Sequence, residues 1–488
     1  MTAFATPALA PSLPALPPTL LVGGHWRPAA DGATFPVDNP ATGETLIEVA
    51  DAGAQDAQDA IRAAADAQPA LAALSPARRA ALLRRVETAL RDRVDELALL
   101  ITLEMGKPIT ESRGEVAYAA DFFGWFADEA LRIGGDYRLS PTGLTRILVQ
   151  HKAVGPCLLV TPWNFPLAMG ARKIAPAIAA GCPSVLKPAE QTPLTSLLLA
   201  QIIEESGAPA GAVNVVTTSR PAEVVSTVIE SGLARKLSFT GSTEVGKLLL
   251  AQCSAHVMRT SMELGGNAPF IVCADADLDA AVEGALLAKM RNIGQACTAA
   301  NRFLVAESLA PEFTGRLAER MGAMTVAAGW QDGAEVGPLI DDAAVAKFER
   351  LVADALDRGA AIEVGGGPAK GRFVEPTVLS GIAPGTALLE EEIFGPLAPI
   401  TTFREEEAAV AAANGTPYGL VSYVYTRDLD RALRMVGNLA SGMVGVNAGV
   451  VSNAAAPFGG VKQSGLGREG GLEGLAEYLD TTYAALPV

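Results

Sequence analysis

Histidine is almost missing: only His25, His151 and His256 occur in 488 residues. Any Cys-His or Ser-His mechanism would have to recruit one of these three. Cysteine is scarce as well, and its five positions (157, 182, 253, 273 and 297) form an odd, thinly spread set without paired metal spacing. That pattern fits a reducing cytoplasm rather than a disulfide framework or a zinc site. Positive charge is in deficit, with 38 Lys and Arg against 54 Asp and Glu for a formal charge of −16. Such a balance disfavours a nucleic-acid backbone or an anionic membrane as the main partner. Although 49% of the residues are hydrophobic, no apolar run approaches the ~20 residues a membrane helix needs. The Pro/Ala-rich start, residues 1–19, has no basic residue before Arg27, so it lacks the flanks of a signal or transit peptide and reads as a loose N-terminal extension. These absences leave a soluble, cytoplasmic protein with a small-molecule ligand.

What is present is a long regular text. At roughly 100–200 residues per domain, two or three domains are expected. After short turn-rich strands from Leu20 to Ala50 and an Ala-rich helix to Ala73, a helix begins at Ser75. Ser75 caps it, Pro76 suits its first turn, and Leu82, Leu83, Val86 and Leu90 recur at helical spacing toward about Met105. Another helix covers roughly Ser112 to Ile133, with core aromatics Phe122, Phe123, Trp125 and Phe126. Residues 134–150 read as an extended arm suited to pairing with another subunit, and the alternating tail after Tyr478 is a candidate partner for it.

From Ala153 onward, apolar runs alternate with helices: Cys157–Val160, Ser184–Leu186, Val213–Val216, Lys236–Phe239 and Val257–Leu264. This spacing predicts an α/β, doubly wound parallel sheet. Ligands in such sheets bind at the carboxyl ends of the strands. Those ends carry Trp163 and Asn164, Lys187 and Glu190, Gly241 and Ser242, and Glu263 and Leu264. Glu190 suits ribose hydroxyls and repels a 2′-phosphate, with Lys187 beside it, and Gly241-Ser242 opens a helix whose amides suit a pyrophosphate. The pattern favours NAD, with NADP disfavoured by Glu190. The expected organisation is a cofactor domain from 20–133 and 151–264, an oligomerisation arm and tail at 134–150 and 472–488, and an α/β catalytic domain at 265–471.

Within that last unit, Gly294-Gln-Ala-Cys297 places a thiol after small residues, where backbone amides can approach a bound carbonyl. Gly465-Leu-Gly467-Arg-Glu-Gly470 matches the dinucleotide pattern G-x-G-x-x-G. It follows no buried strand and lies outside the regular βαβ region, so it reads as a structural loop.

Seven segments occur in order along nearly the whole chain: Pro162-Trp-Asn-Phe-Pro166, Lys187-Pro-Ala-Glu190, Phe239-Thr-Gly-Ser242, Met262-Glu-Leu-Gly-Gly-Asn267, Gly294-Gln-Ala-Cys297, Glu391-Glu-Ile-Phe-Gly-Pro396 and Pro457-Phe-Gly-Gly460. Together they resemble the signature set of the NAD(P)-dependent aldehyde dehydrogenase superfamily. The resemblance implies an aldehyde dehydrogenase-like fold, a homodimer or homotetramer, and oxidation of an aldehyde to a carboxylic acid through a cysteine thioester. It also implies roles. Cys297 is the nucleophile, Asn164 and the Cys297 amide hold the oxyanion, and Glu263 activates water. Glu392 and Phe394 contact the nicotinamide ribose, and Trp163 and Leu264 line the cofactor cleft. No metal is implied.

Arg172, eight residues after Asn164, and Arg291, six before Cys297, suit a carboxylate at the far end of a substrate. An ion pair with some Asp or Glu is the competing reading for each. With Ser452-Asn453 ahead of Pro457, these positions resemble the succinate-semialdehyde dehydrogenase branch, where Ser452 and Asn453 would border the carboxylate. The implied substrate is succinate semialdehyde; glutarate semialdehyde or another aliphatic or amino-aldehyde is the alternative. A catalytically idle binding protein is the reading from another class, and the joint presence of Cys297, Glu263 and Asn164 weighs against it.

Overall fold

Five apolar strands, each followed by a polar or glycine-rich turn, assemble into the sheet that organises the first half of the chain. In the computed structural model, which describes residues 10–488, Arg259–Glu263, Lys236–Thr240, Cys157–Val160, Ser184–Lys187 and Val213–Val215 lie side by side in parallel. Leu20–Val22 and His25–Arg27 extend one edge antiparallel. Gly465–Leu466 closes the other, pairing antiparallel with Met262 and Glu263. The G-x-G-x-x-G string is therefore an edge element, and its first glycine has a steric reason. A Cβ on Gly465 would stand 1.8 Å from the Met262 carbonyl.

Helices bury both faces. Ile109–Ala130, Pro166–Ala180 and Leu194–Glu205 cover one, with Phe122, Phe123 and Phe126 fully buried among them. Ala54–Ala72 and Pro221–Glu230 cover the other. Where one helix was expected from Ser75 to about Met105 there are two, Pro76–Asp92 and Val94–Met105. Arg93 breaks them: its backbone sits at φ −106°, ψ 26°, and its guanidinium pairs with Glu96 at 2.7 Å. Asp95 and Glu96 then favour a new helix start through the macrodipole.

The first nine residues of the N-terminal extension lie outside the described residues. In the remainder Leu13 and Leu16 pack against the core, which anchors that part.

The second sheet has seven strands in the order Ala361–Val364, Thr377–Ser380, Leu397–Phe403, Ala300–Ala306, Ala268–Val272, Val421–Tyr425, Met443–Val446. The outermost strand, Ala361–Val364, is largely exposed and carries no apolar run that would mark it in the sequence. Strands Gly135–Leu139, Thr145–Ala153 and Leu479–Pro487 form a separate antiparallel sheet, with the tail paired along the whole of Thr145–Ala153. No helix among the described residues is long and apolar enough to cross a membrane.

Candidate active site

The carboxyl ends of the parallel strands and the turn before Ala300 converge on one cavity of about 340 Å³. Asn164, Glu263 and Cys297 line it together with Trp163, Thr240, Gly241, Ser242, Leu264, Lys347, Glu392 and Phe394. A larger crevice of about 1130 Å³, around Thr314, Ser380 and Thr401, contains none of Asn164, Glu263 and Cys297. The chemistry belongs to the smaller one.

Cys297 reaches the cavity from a turn with unusual backbone geometry. Asn292, Ile293 and Gly294 are all left-handed, at φ 57°, 63° and 73°. For a β-branched isoleucine that conformation costs about 1–3 kcal/mol, and surrounding bonds must hold it. Asn292 N–H donates to Glu111 Oε2 at 2.5 Å, and its side-chain amide donates to the carbonyls of Asn164 and Gln295 at 3.1 and 2.8 Å. The Gln295 side chain accepts from Ile340 N–H at 3.1 Å. A Cβ on Gly294 would lie 2.3 Å from the Gly395 carbonyl, so the turn passes too close to its neighbour for any side chain there. Among the described residues the Cys297 N–H meets no acceptor. Asn164 Nδ2 donates one hydrogen to Gln295 O at 3.0 Å and keeps a second for an incoming oxygen. Two donors at one nucleophile are what a developing oxyanion requires. Burial pushes the Cys297 thiol up to about 12, opposed chiefly by the positive charge of Arg172.

Glu263 is 3% exposed, and neither of its oxygens has a hydrogen-bond partner. Burial first, and then the charge of Glu469, raises its carboxyl well above the ordinary range, against the pull of Arg172, Lys173 and Arg468. A carboxyl so placed is a base without a resident proton donor, which suits a water as its partner. On the side of Gly459 the fit is tight, since a Cβ there would come 2.8 Å from Glu263 Oε1.

The other side of the cavity fits a dinucleotide. Ser242 lines the cavity and caps the helix Thr243–Ser254, accepting from Val245 N–H, so this helix begins at the cavity wall, and a helix N-terminus suits an anion. Thr240 Oγ1 is buried without a partner at the strand end, so a polar ligand atom has a group to meet there. Trp163 and Phe394 stand edge to face with ring centroids 5.4 Å apart, walling the cleft. Glu392 accepts from Gly266 N–H at 3.2 Å, and burial raises its carboxyl to about 7. Lys187 and Glu190 form an ion pair at 3.4 Å beyond the second strand, where Glu190 is 42% exposed.

The two arginines have different surroundings. Arg172 is 2% exposed, its Nε pairs with Glu469 Oε2 at 2.5 Å, and its guanidinium stacks on Phe458 at 4.0 Å. Arg291 makes no ion pair among the described residues. It donates to Ser452 Oγ at 3.2 Å and lies over the Phe165 ring at 5.0 Å. Asn453 is exposed, and its side-chain oxygen accepts from Ala455 N–H within its own loop.

Several residues at the site were not singled out from the sequence. Glu469 binds Arg172 and, at 2.5 Å, Lys173; burial would raise its carboxyl, but the two cations hold it below the usual range. The adjacent Arg172-Lys173 pair inside an apolar helix was a signal, because two buried cations demand a buried carboxylate. Lys107, Glu111 and Glu115 carried none, since charges in a helix break and the first turns after it read as solvated.

A sequence model of the aldehyde dehydrogenase family matches residues 26–484. A succinate-semialdehyde dehydrogenase of Paenarthrobacter nicotinovorans is 55% identical over 443 residues, covering 90% of this chain and 98% of that protein. A glutarate-semialdehyde dehydrogenase of Pseudomonas putida is 46% identical over 467 residues, covering 96% and 97%. The crystal structure of an NADP-dependent enzyme of E. coli superposes with a TM-score of 0.96 at 45% identity, covering 97% and 98% of the two chains.

Proposed function

Because the chain belongs to the aldehyde dehydrogenase family, and is thereby an NAD(P)-dependent oxidoreductase, we propose that it oxidises an ω-oxo carboxylic acid to the dicarboxylate, succinate semialdehyde first. The Cys297 thiolate adds to the aldehyde carbon, and Asn164 Nδ2 with the Cys297 N–H holds the oxyanion. Bound nicotinamide supplies the acceptor for the hydride. The thioester left on Cys297 is then hydrolysed by water that gives its proton to Glu263.

The observation that carries the substrate reading is Arg291. Its half-buried guanidinium forms no ion pair among the described residues, lies over Phe165 and donates to Ser452, which suits it to a substrate carboxylate. Arg172 is the weaker candidate, because its guanidinium is already paired with Glu469. In Arg291→Ala, kcat/KM for succinate semialdehyde should fall by about 10–200-fold, the equivalent of roughly 1.5–3 kcal/mol for a charge-assisted hydrogen bond. The value for butanal should be nearly unchanged. Equal losses on both substrates would remove the clamp. Glutarate semialdehyde, the named substrate of one relative, is the second reading, and the same comparison with the longer acid ranks the two.

For the cofactor, Glu190 supports a preference for NAD, since its carboxylate would stand against a 2′-phosphate. Glu190→Ser should raise the ratio of kcat/KM for NADP over that for NAD, and an unchanged ratio would take Glu190 out of the discrimination.

The three-stranded sheet leaves Tyr137, Leu139, Leu144 and Tyr483 more than half exposed, which supports a homodimer or homotetramer built on that surface. Five free thiols support a cytoplasmic setting.

A further inference from the structure

The two oxyanion donors come from different parts of the chain. Asn164 stands on the loop after Cys157–Val160, and the Cys297 amide ends the strained turn that begins at Asn292. Loop and turn bond each other directly, Asn164 Nδ2 donating to the Gln295 carbonyl and Asn292 Nδ2 to the Asn164 carbonyl, and a third segment, residues 107–115, holds both of them from outside.

Lys107 is fully buried. Its Nζ donates to the Asn164 carbonyl at 2.7 Å and to Glu115 Oε2 at 2.6 Å, and lies over the Phe165 ring at 4.0 Å. The other oxygen of Glu115 accepts from the N–H groups of Leu167 and Ala168 at 2.9 and 3.1 Å, capping the helix that leaves the Asn164 loop. One turn earlier, Glu111 holds Asn292 N–H, and the Asn292 side-chain amide donates to the same Asn164 carbonyl that Lys107 binds. That carbonyl thus receives one donor from each side. A buried ammonium is costly unless its partners are fixed, and both partners here are held in place by further donors, Asn292 on the Asn164 carbonyl and Leu167 and Ala168 on Glu115. None of the three residues lines the cavity.

We propose that Lys107 is a positioning residue for the reaction: through the Asn164 carbonyl and Glu115 it fixes where the Asn164 side-chain amide meets the oxyanion. The inference rests on the oxyanion role given to Asn164 above. Lys107 touches neither substrate nor cofactor, and its effect passes through Asn164. A displacement of about 1 Å in such a donor costs up to about a hundredfold in rate.

The test is a double-mutant cycle on the full-length enzyme. Lys107→Met removes the ammonium, and Lys107→Met/Glu115→Gln removes both charges while leaving an amide oxygen for Leu167 and Ala168. The second variant serves where an unpaired Glu115 prevents folding. Each is made with Asn164 intact and with Asn164→Ala, and kcat, KM for the aldehyde and the NAD dissociation constant are measured. With Asn164 intact, kcat should fall about tenfold to a hundredfold, with NAD binding unchanged within about threefold. In the Asn164→Ala background the same substitutions should change kcat by less than about threefold, because the group they position is gone. Equal losses in both backgrounds would overturn the proposal and make Lys107 a general support. If Asn164→Ala alone costs nothing, the oxyanion assignment fails instead.

Discussion

An enzyme carrying Glu263→Gln should release about one NADH per subunit in a rapid burst and then nearly stop. The amide keeps the shape of the side chain in a space that Gly459 leaves no wider, so the approach of the aldehyde to Cys297 is preserved. What is lost is an acceptor for the proton of the hydrolytic water, and general-base catalysis contributes about 10²–10⁴-fold. Steady-state kcat should fall by that factor, with the thioester accumulating on Cys297 as a mass increment. The pH profile follows from the direction of the shift. Burial and the neighbouring Glu469 charge favour the protonated carboxyl, so the basic form grows as pH rises, and kcat of the unaltered enzyme should climb with it. In Glu263→Gln the residual rate should lose that limb. Loss of activity without a burst would instead place Glu263 before hydride transfer.

Cys297→Ser should lower kcat/KM by more than about a thousandfold while leaving the cofactor bound. A serine hydroxyl ionises far less readily than a thiol, and no histidine lines the cavity to take its proton. The same variant reports on thiol chemistry. Cys157, Cys182, Cys253 and Cys273 are at most 3% exposed, while Cys297 is half-buried at the cavity. Iodoacetamide should therefore modify one thiol in the native protein and none in Cys297→Ser. Burial pushes Cys253 to about 11 and Cys273 to about 12 as well, so accessibility rather than acidity sets the selectivity. Labelling of a second site in the folded protein would contradict it.

The parallel sheet was legible because each of its strands is a short apolar run followed by Gly, Pro or a polar residue, and burial on both faces leaves no other composition open to it. Residues at the strand ends were legible for the same reason: Asn164, Glu190, Gly241 and Glu263 break apolar text where a ligand has to meet the chain. The tail strand was read as a partner for the arm from alternation alone, and it pairs with Thr145–Ala153 over nine positions, from Leu479↔Ala153 to Pro487↔Thr145. What was not legible were groups whose meaning depends on a distant partner. Arg172 and Lys173 on an apolar helix call for a buried carboxylate, but nothing in the sequence says that Glu469, 297 residues after Arg172, supplies it. Lys107, in the break between two helices, and Glu115, inside the second, read in sequence as unrelated surface charges. Only tertiary packing turns them inward, under the Asn164 loop.

The edge formed by Gly465–Leu466 against Met262–Glu263, and the pairing of Leu479–Pro487 with Thr145–Ala153, give the molecule an order of assembly. Sequence separations of about two hundred to over three hundred residues must close before either ladder exists, and long-range closure of this kind is slow compared with local helix formation. During synthesis the parallel sheet and the Cys297 turn can be in place while the Glu263 strand still has a bare edge and Arg172 and Lys173 still lack Glu469. A ribosome-bound chain would thus carry the thiol before Glu469 has been made, and Arg172 and Lys173 stay without their carboxylate until the last elements dock.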